Sequence, residues 1–140
     1  MSATAIVKAA QFAAEKHKNQ RRKDADASPY INHPLALASV LAVEGGIENP
    51  DVICAALLHD TIEDTKTTAE ELTAIFGDKV TGIVLEVTDD KNLDKAVRKE
   101  EQVRHAPHIS HEAKLVKLAD KICNLRDILA SPPADWRHRA

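Results

Sequence analysis

Glycine is scarce, with four residues in 140, and Phe, Tyr and Trp together supply only 3% of the chain. A β-sandwich or barrel needs frequent tight turns and strands rich in aromatic and β-branched residues, so this composition disfavours both. Cysteine is nearly absent too: Cys54 and Cys123 are far apart, and no C-x-x-C occurs. Both lie in apolar stretches and read as reduced core residues of a cytoplasmic protein. No run is long and apolar enough for a bilayer, and residues 1–30 lack the continuous apolar core of a secretory leader, so no membrane partner is expected. Excess positive charge is missing as well, the formal net charge being −3. With the few aromatics scattered, neither a basic duplex-binding face nor a base-stacking platform is expected, which argues against nucleic acid as partner. Nothing in the sequence sets an oligomeric state.

What is present is ordinary for a globular protein, 44% apolar and 29% charged. A chain of this length suggests one domain that buries roughly two-thirds of its unfolded surface. Periodicity predicts helices almost throughout. The first spans 3–19, with Val7, Ala10, Ala14 and His17 at helical spacing. A polar loop over 20–32 leads to Pro34, which suits the first turn of a second helix with Leu37, Ala38, Leu41 and Ala42 on its apolar face, stopped by Gly45 and Gly46. Asn49-Pro50 opens a third helix, and Thr68 with Glu71 caps a short fourth that Gly77 ends. Val80, Ile83, Val84 and Val87 keep helical spacing in a fifth, although their β-branching would also suit a strand. Asp94 can cap a charged sixth helix limited by Pro107. Ser110 caps a long seventh, with Leu115, Leu118, Ile122, Leu125 and Leu129 apolar, which Pro132 and Pro133 stop. The fold class is all-α.

Three features carry chemistry. The run His59-Asp60-Thr61-Ile62-Glu63-Asp64 follows the apolar Ala55–Leu58 directly. If the helix continues through it, His59 aligns with Glu63 and Asp60 with Asp64, one turn apart. The partial negative charge of a helix C-terminus would favour a cation there. A solvated acidic helix end with an incidental His is the bland alternative. The second feature is the stripe Lys117, Asp120, Asn124 and Asp127 on an otherwise apolar helix, which could equally be an outward solvated face. The third is His33 at a helix start, in Tyr30-Ile31-Asn32-His33-Pro34; a lone His in such a place is usually structural. The H-x-x-H-x-x-H spacing of His105, His108 and His111 is interrupted by Pro107, and Arg98-Lys99-Glu100-Glu101 reads as a solvated face.

Read together, the features resemble the HD phosphohydrolase superfamily, in which an early His, a His-Asp pair and a late Asp bind one divalent metal. Arg21-Arg22-Lys23, Pro29–Pro34, Ala55–Asp60, Glu63-Asp64, Leu118–Lys121 and Asn124-Leu125-Arg126 occur in the order of the RelA/SpoT hydrolase domain. Val87-Thr88-Asp89-Asp90-Lys91 fits the small alarmone hydrolases of the metazoan SpoT homologue type. The likeness runs from about Ala9 to Trp136. It implies an HD-domain helical bundle with His33, His59, Asp60 and Asp120 as metal ligands, typically for manganese. Two imidazoles and two carboxylates, without thiolates, suit a borderline-to-hard divalent ion, and spacing does not separate manganese from iron, cobalt or magnesium. The substrate implied is a guanine nucleotide alarmone, guanosine 3′,5′-bis(diphosphate), split by water into GDP and pyrophosphate. Glu63 and Asp64 are implied to position the water and handle protons. Arg22, Lys23, Lys95 and Asn124 are implied to contact the nucleotide.

The family pattern continues beyond the Trp136 region into helices that place an Arg and a Tyr over the substrate. Over residues 1–140, a single hydrolase domain without those helices is expected: a complete metal site, with one wall of the substrate pocket lacking. Alternatives are a phosphatase acting on the 2′-phosphate of NADPH, a catalytically impaired nucleotide-binding domain, and a helical scaffold. A pure binder has no need of the Glu63-Asp64 pair, and a scaffold gives no account of four ordered ligand-type residues.

Overall fold

The computed structural model describes residues 2–22, 27–89 and 94–130, and these contain helices and no strand. In chain order the α-helices are α1 (Ser2–Lys16), α2 (Asn32–Ser39), α3 (Pro50–Leu58), α4 (Thr61–Asp64), α5 (Ala69–Phe76), α6 (Asp78–Val87), α7 (Lys95–His105) and α8 (His111–Ala130), with a π-helical turn over Val40–Glu44 and a 3-10 turn over Ala106–His108. Lys23, Asp90-Lys91, Pro132, Pro133 and Trp136 lie outside the described residues, as do the side chains of Lys95 and His105.

Helix α3 is the centre of the bundle. Asn49 caps it by accepting from the Asp51 amide at 3.0 Å, and Pro50 occupies the first turn. Every residue from Val52 to Leu58 is buried, as expected of a helix apolar on all sides. α1, α2, α6 and α8 pack around it. The fifth expected helix is α6, with Val80, Ile83 and Val84 buried; its β-branched residues do not make a strand because they have a helical groove to fill. Thr68 caps α5 through the Glu71 amide at 3.1 Å, and Gly77, at φ 90°, ends it. Ser110 caps α8 through the Ala113 amide. Both cysteines are buried thiols, and burial raises the Cys54 pKa to about 11.

Two apolar faces differ from expectation. In α1 Ala9 and Ala13 are buried, as is His17 just past its end, whereas Val7 is 65% exposed and Ala14 is exposed. Small alanines let α1 approach α3 closely, and Val7, two residues before Ala9, is turned about 200° from that face. In α8 the buried line is Ala113, Val116, Ala119 and Cys123, while Leu118, Leu125 and Leu129 face outward. The same logic applies: the side that meets α2, α3 and α6 is the small-residue side.

The loop from α1 to α2 is pinned at its stem. The Arg22 amide donates to the Ser28 carbonyl at 2.9 Å, and the Tyr30 amide donates to Gln20 at 3.0 Å. That closure delivers Tyr30 and His33 to the end of α3.

Candidate metal centre

The helix does not run on from Ala55 to Asp64 as the simple continuation expects. α3 ends at Leu58, Asp60 adopts φ −103° and ψ 2°, and α4 restarts at Thr61. A break strands carbonyls that the next turn would have used. Side chains take two of them: His59 Nδ1 donates to the Ala56 carbonyl at 2.7 Å, and Thr61 Oγ1 donates to the Leu58 carbonyl at 2.7 Å. A carbonyl only accepts, so Nδ1 carries the proton, and in the neutral ring Nε2 carries the lone pair. An imidazole held through its far nitrogen is the usual arrangement of a metal-binding histidine. Thr61→Val would leave the buried Leu58 carbonyl without this donor. It is expected to destabilise the protein by about 1–3 kcal/mol in denaturant titrations.

His59 Nε2 is buried and has no hydrogen-bond partner among the described residues, yet it lies 3.0 Å from Asp60 Oδ2 and 3.6 Å from Asp120 Oδ1. His33 Nε2 approaches the same Asp120 oxygen at 2.8 Å. Ligand atoms of His33, His59 and Asp60 fall within 4.8 Å of one another. Asp120 reaches them from α8, where Ala119 and Val116 anchor its turn in the core. Burial would raise the Asp120 carboxyl pKa; the hydrogen bond from His33 leads the opposing effects, and the group is held well below the usual carboxylate range. Tyr30 connects the loop to this cluster, its hydroxyl donating to Asp60 Oδ2. Its ring packs between those of His17 and His33, with centroids 4.6 and 5.9 Å away.

Asp60, Glu63 and Asp64 likewise present carboxylate oxygens within 4.8 Å of one another. Asp60, together with Asp120, also faces the buried His59 Nε2 at the negative end of α3, and anionic groups this close would be stabilised by a cation among them. The donor set therefore fits a divalent metal.

A cavity of about 140 Å³ opens beside this cluster, its lining including His59, Asp60, Glu63, Asp120, Lys117, Lys121, Asp89 and Gln102. Glu63 Oε1 accepts from the Asp89 amide at 2.9 Å, and Asp89 Oδ2 accepts from Gln102 at 2.7 Å. Asp64 turns to a broader depression with Lys16, Gln20 and Lys66. Arg22, expected to contact nucleotide, pairs with Asp127 at 2.5 Å, and Asn124 is exposed one turn from each of Asp120 and Asp127. Gln102 went unremarked in the sequence, and Asp89 entered only as one residue of the Val87–Lys91 resemblance; only the fold brings them to Glu63.

The HD domain family profile matches residues 9–140. Curated relatives named guanosine-3′,5′-bis(diphosphate) 3′-pyrophosphohydrolase MESH1 include those of Xenopus tropicalis, 60% identical over 134 residues, and Danio rerio, 57% identical over 135. Each alignment covers 96% of this chain and 75% of the relative. A solved structure, described as a metazoan ortholog of SpoT that hydrolyzes ppGpp and plays a role in starvation responses, superposes with a TM-score of 0.90. It is 46% identical, with 94% of this chain and 74% of that one covered. On the profile match, the identities and the shared helical fold, this chain belongs to the HD domain family.

Proposed function

We propose that this chain hydrolyses guanosine 3′,5′-bis(diphosphate), ppGpp, to GDP and pyrophosphate. The observation that carries the reading is one cluster of His33, His59, Asp60 and Asp120 beside a cavity that Glu63 lines, in a chain 60% identical to a relative named for that reaction. His33, His59, Asp60 and Asp120 would hold one divalent metal, manganese being the ion proposed on the mixed nitrogen and oxygen donor set. When bound, the metal supplies Lewis acidity toward a phosphoryl oxygen and lowers the pKa of water.

The chain's own groups supply the rest. Water attacks the phosphorus attached to the ribose 3′-oxygen, one P–O bond forms to water, and the bond to the ribose oxygen breaks. Glu63, held by the Asp89 amide, accepts the water's proton; Asp64 supports the proton's passage to the departing 3′-oxygen. Tyr30 orients Asp60 through its hydroxyl. Asn124 hydrogen-bonds the nucleoside, and Arg22, Lys23 and Lys95 serve its phosphates and base. Arg22 must exchange or share its Asp127 partner to do so. No described helix is long and apolar enough to cross a membrane; the cytoplasm is the compartment proposed, in keeping with two buried, unpaired thiols.

The test is to incubate the protein with manganese and ppGpp and identify the products. GDP and pyrophosphate in equal amounts are expected. Orthophosphate released from NADPH with ppGpp left intact would assign the site to the 2′-phosphatase reaction instead.

A further inference from the structure

The 140 Å³ cavity holds two cations that the proposed mechanism leaves unused. Lys117 and Lys121 sit one turn apart on α8, so they present side by side. Lys117 precedes Asp120 by one turn, and both lysines line the same cavity as His59, Asp60, Glu63 and Asp120. Among the described residues neither lysine has an ion-pair or hydrogen-bond partner. The carboxylates around them are otherwise occupied: Asp60 accepts from Tyr30, Glu63 accepts from the Asp89 amide, and Asp120 faces two imidazoles. Two unpaired ammonium groups in one small cavity repel each other, an arrangement that an anionic ligand would relieve.

The cavity's size limits what that ligand is. Small-molecule sites run to about 300–1,000 Å³, so a 140 Å³ space cannot take a whole nucleotide. A phosphate fits. The axis of α8 also sets a direction: Asn124 and the Arg22–Asp127 pair lie on the C-terminal side of Asp120, and Lys117 lies on the N-terminal side. From Lys117 to Asp127 the helix rises about 15 Å, the order of length of a nucleotide with its phosphate chain. With the nucleoside toward Asn124 and the scissile phosphorus at Asp120, the group beyond it falls toward Lys117, and Lys121, next to Asp120, lines the same cavity.

We propose that Lys117 and Lys121 receive the outer phosphate of the substrate's 3′-diphosphate, and so make the site select a diphosphate over a monophosphate at that position. This rests on the ppGpp reading above. Lysine suits the role, being a compact point charge with three donors, and the charge on departing pyrophosphate would remain neutralised as the bond to the ribose oxygen breaks.

The experiment compares the manganese-loaded wild type with Lys117→Met, Lys121→Met and the double variant. Metal content is measured alongside kcat and KM for ppGpp. Inhibition by guanosine 5′-diphosphate 3′-monophosphate is measured in the same assay. Metal content and fold are expected to stay unchanged, and kcat/KM for ppGpp should fall roughly a hundredfold in the double variant. The inhibition constant of the 3′-monophosphate, which lacks the outer phosphate, should move by no more than about twofold. Lys117→Arg should retain most of the activity lost in Lys117→Met. An undiminished kcat/KM would overturn the proposal, and so would an equal loss of affinity for the 3′-monophosphate or loss of metal from the double variant. A wild-type protein inactive on ppGpp would instead overturn the proposed function itself.

Discussion

Removing divalent metal from the folded protein is expected to abolish ppGpp hydrolysis, and added manganese is expected to restore it. The magnitude follows from what the ion contributes. Lewis-acid stabilisation is worth several kcal/mol at the transition state, and each 1.36 kcal/mol is tenfold in rate, so the loss should reach about a thousandfold or more. Fold should survive, because α3 and its neighbours form a core that needs no metal to pack. The same ion should stabilise the native state, since it binds the assembled cluster and not the unfolded chain. At a hundredfold excess over its Kd it adds about 2.7 kcal/mol, which for a chain of this size raises Tm by roughly 8 °C. Asp60→Ala and Asp120→Ala should each lose both the thermal shift and the activity. Turnover that persists undiminished in stripped protein, or a Tm indifferent to manganese, would sink the metal-dependent mechanism.

Helix existence was plain in the sequence because start and stop signals are local chemistry. Asn49-Pro50, Thr68 with Gly77, and Ser110 all act within a turn of themselves, and each does in the structure what its residue type dictates. Which face of a helix is buried is a different question. The leucines of α8 are its most hydrophobic residues, yet Ala113, Val116, Ala119 and Cys123 face the core, because close helix packing rewards small side chains against α3 and α6. Counting hydrophobicity misjudges that trade, as it does for Val7 in α1.

The candidate site divides in the same way. His59 and Asp60 stand out as charged residues ending an apolar helix, and the ordered family pattern joins them to His33 and Asp120. The break at Asp60 was not legible, since it depends on His59 and Thr61 satisfying the carbonyls the break exposes. The link from Glu63 to Asp89 and on to Gln102 spans three elements, and sequence spacing carries no trace of it. The pairing of Arg22 with Asp127 likewise joins residues 105 positions apart.

Glu63→Gln and Asp64→Asn should separate proton handling from metal holding. Glu63 is held by accepting from the Asp89 amide, and an amide oxygen can accept that bond too, though more weakly than a carboxylate. Glutamine can therefore keep the side chain's place while losing its capacity to take a proton. The expected result is a folded protein that retains its metal, with kcat lowered about 10²–10⁴-fold, as for other losses of general acid–base help. Asp64→Asn should act in the same direction and also keep the metal. Its effect should be the smaller of the two, since Asp64 turns to the neighbouring depression and Glu63 lines the cavity of Asp60 and Asp120. Because both residues serve one proton's path, the double variant should lose far less than the product of the two single losses. Elemental analysis and kcat measured on each variant decide the matter. Loss of metal from Glu63→Gln would make Glu63 a ligand, and wild-type turnover by both variants would remove the pair from the chemistry.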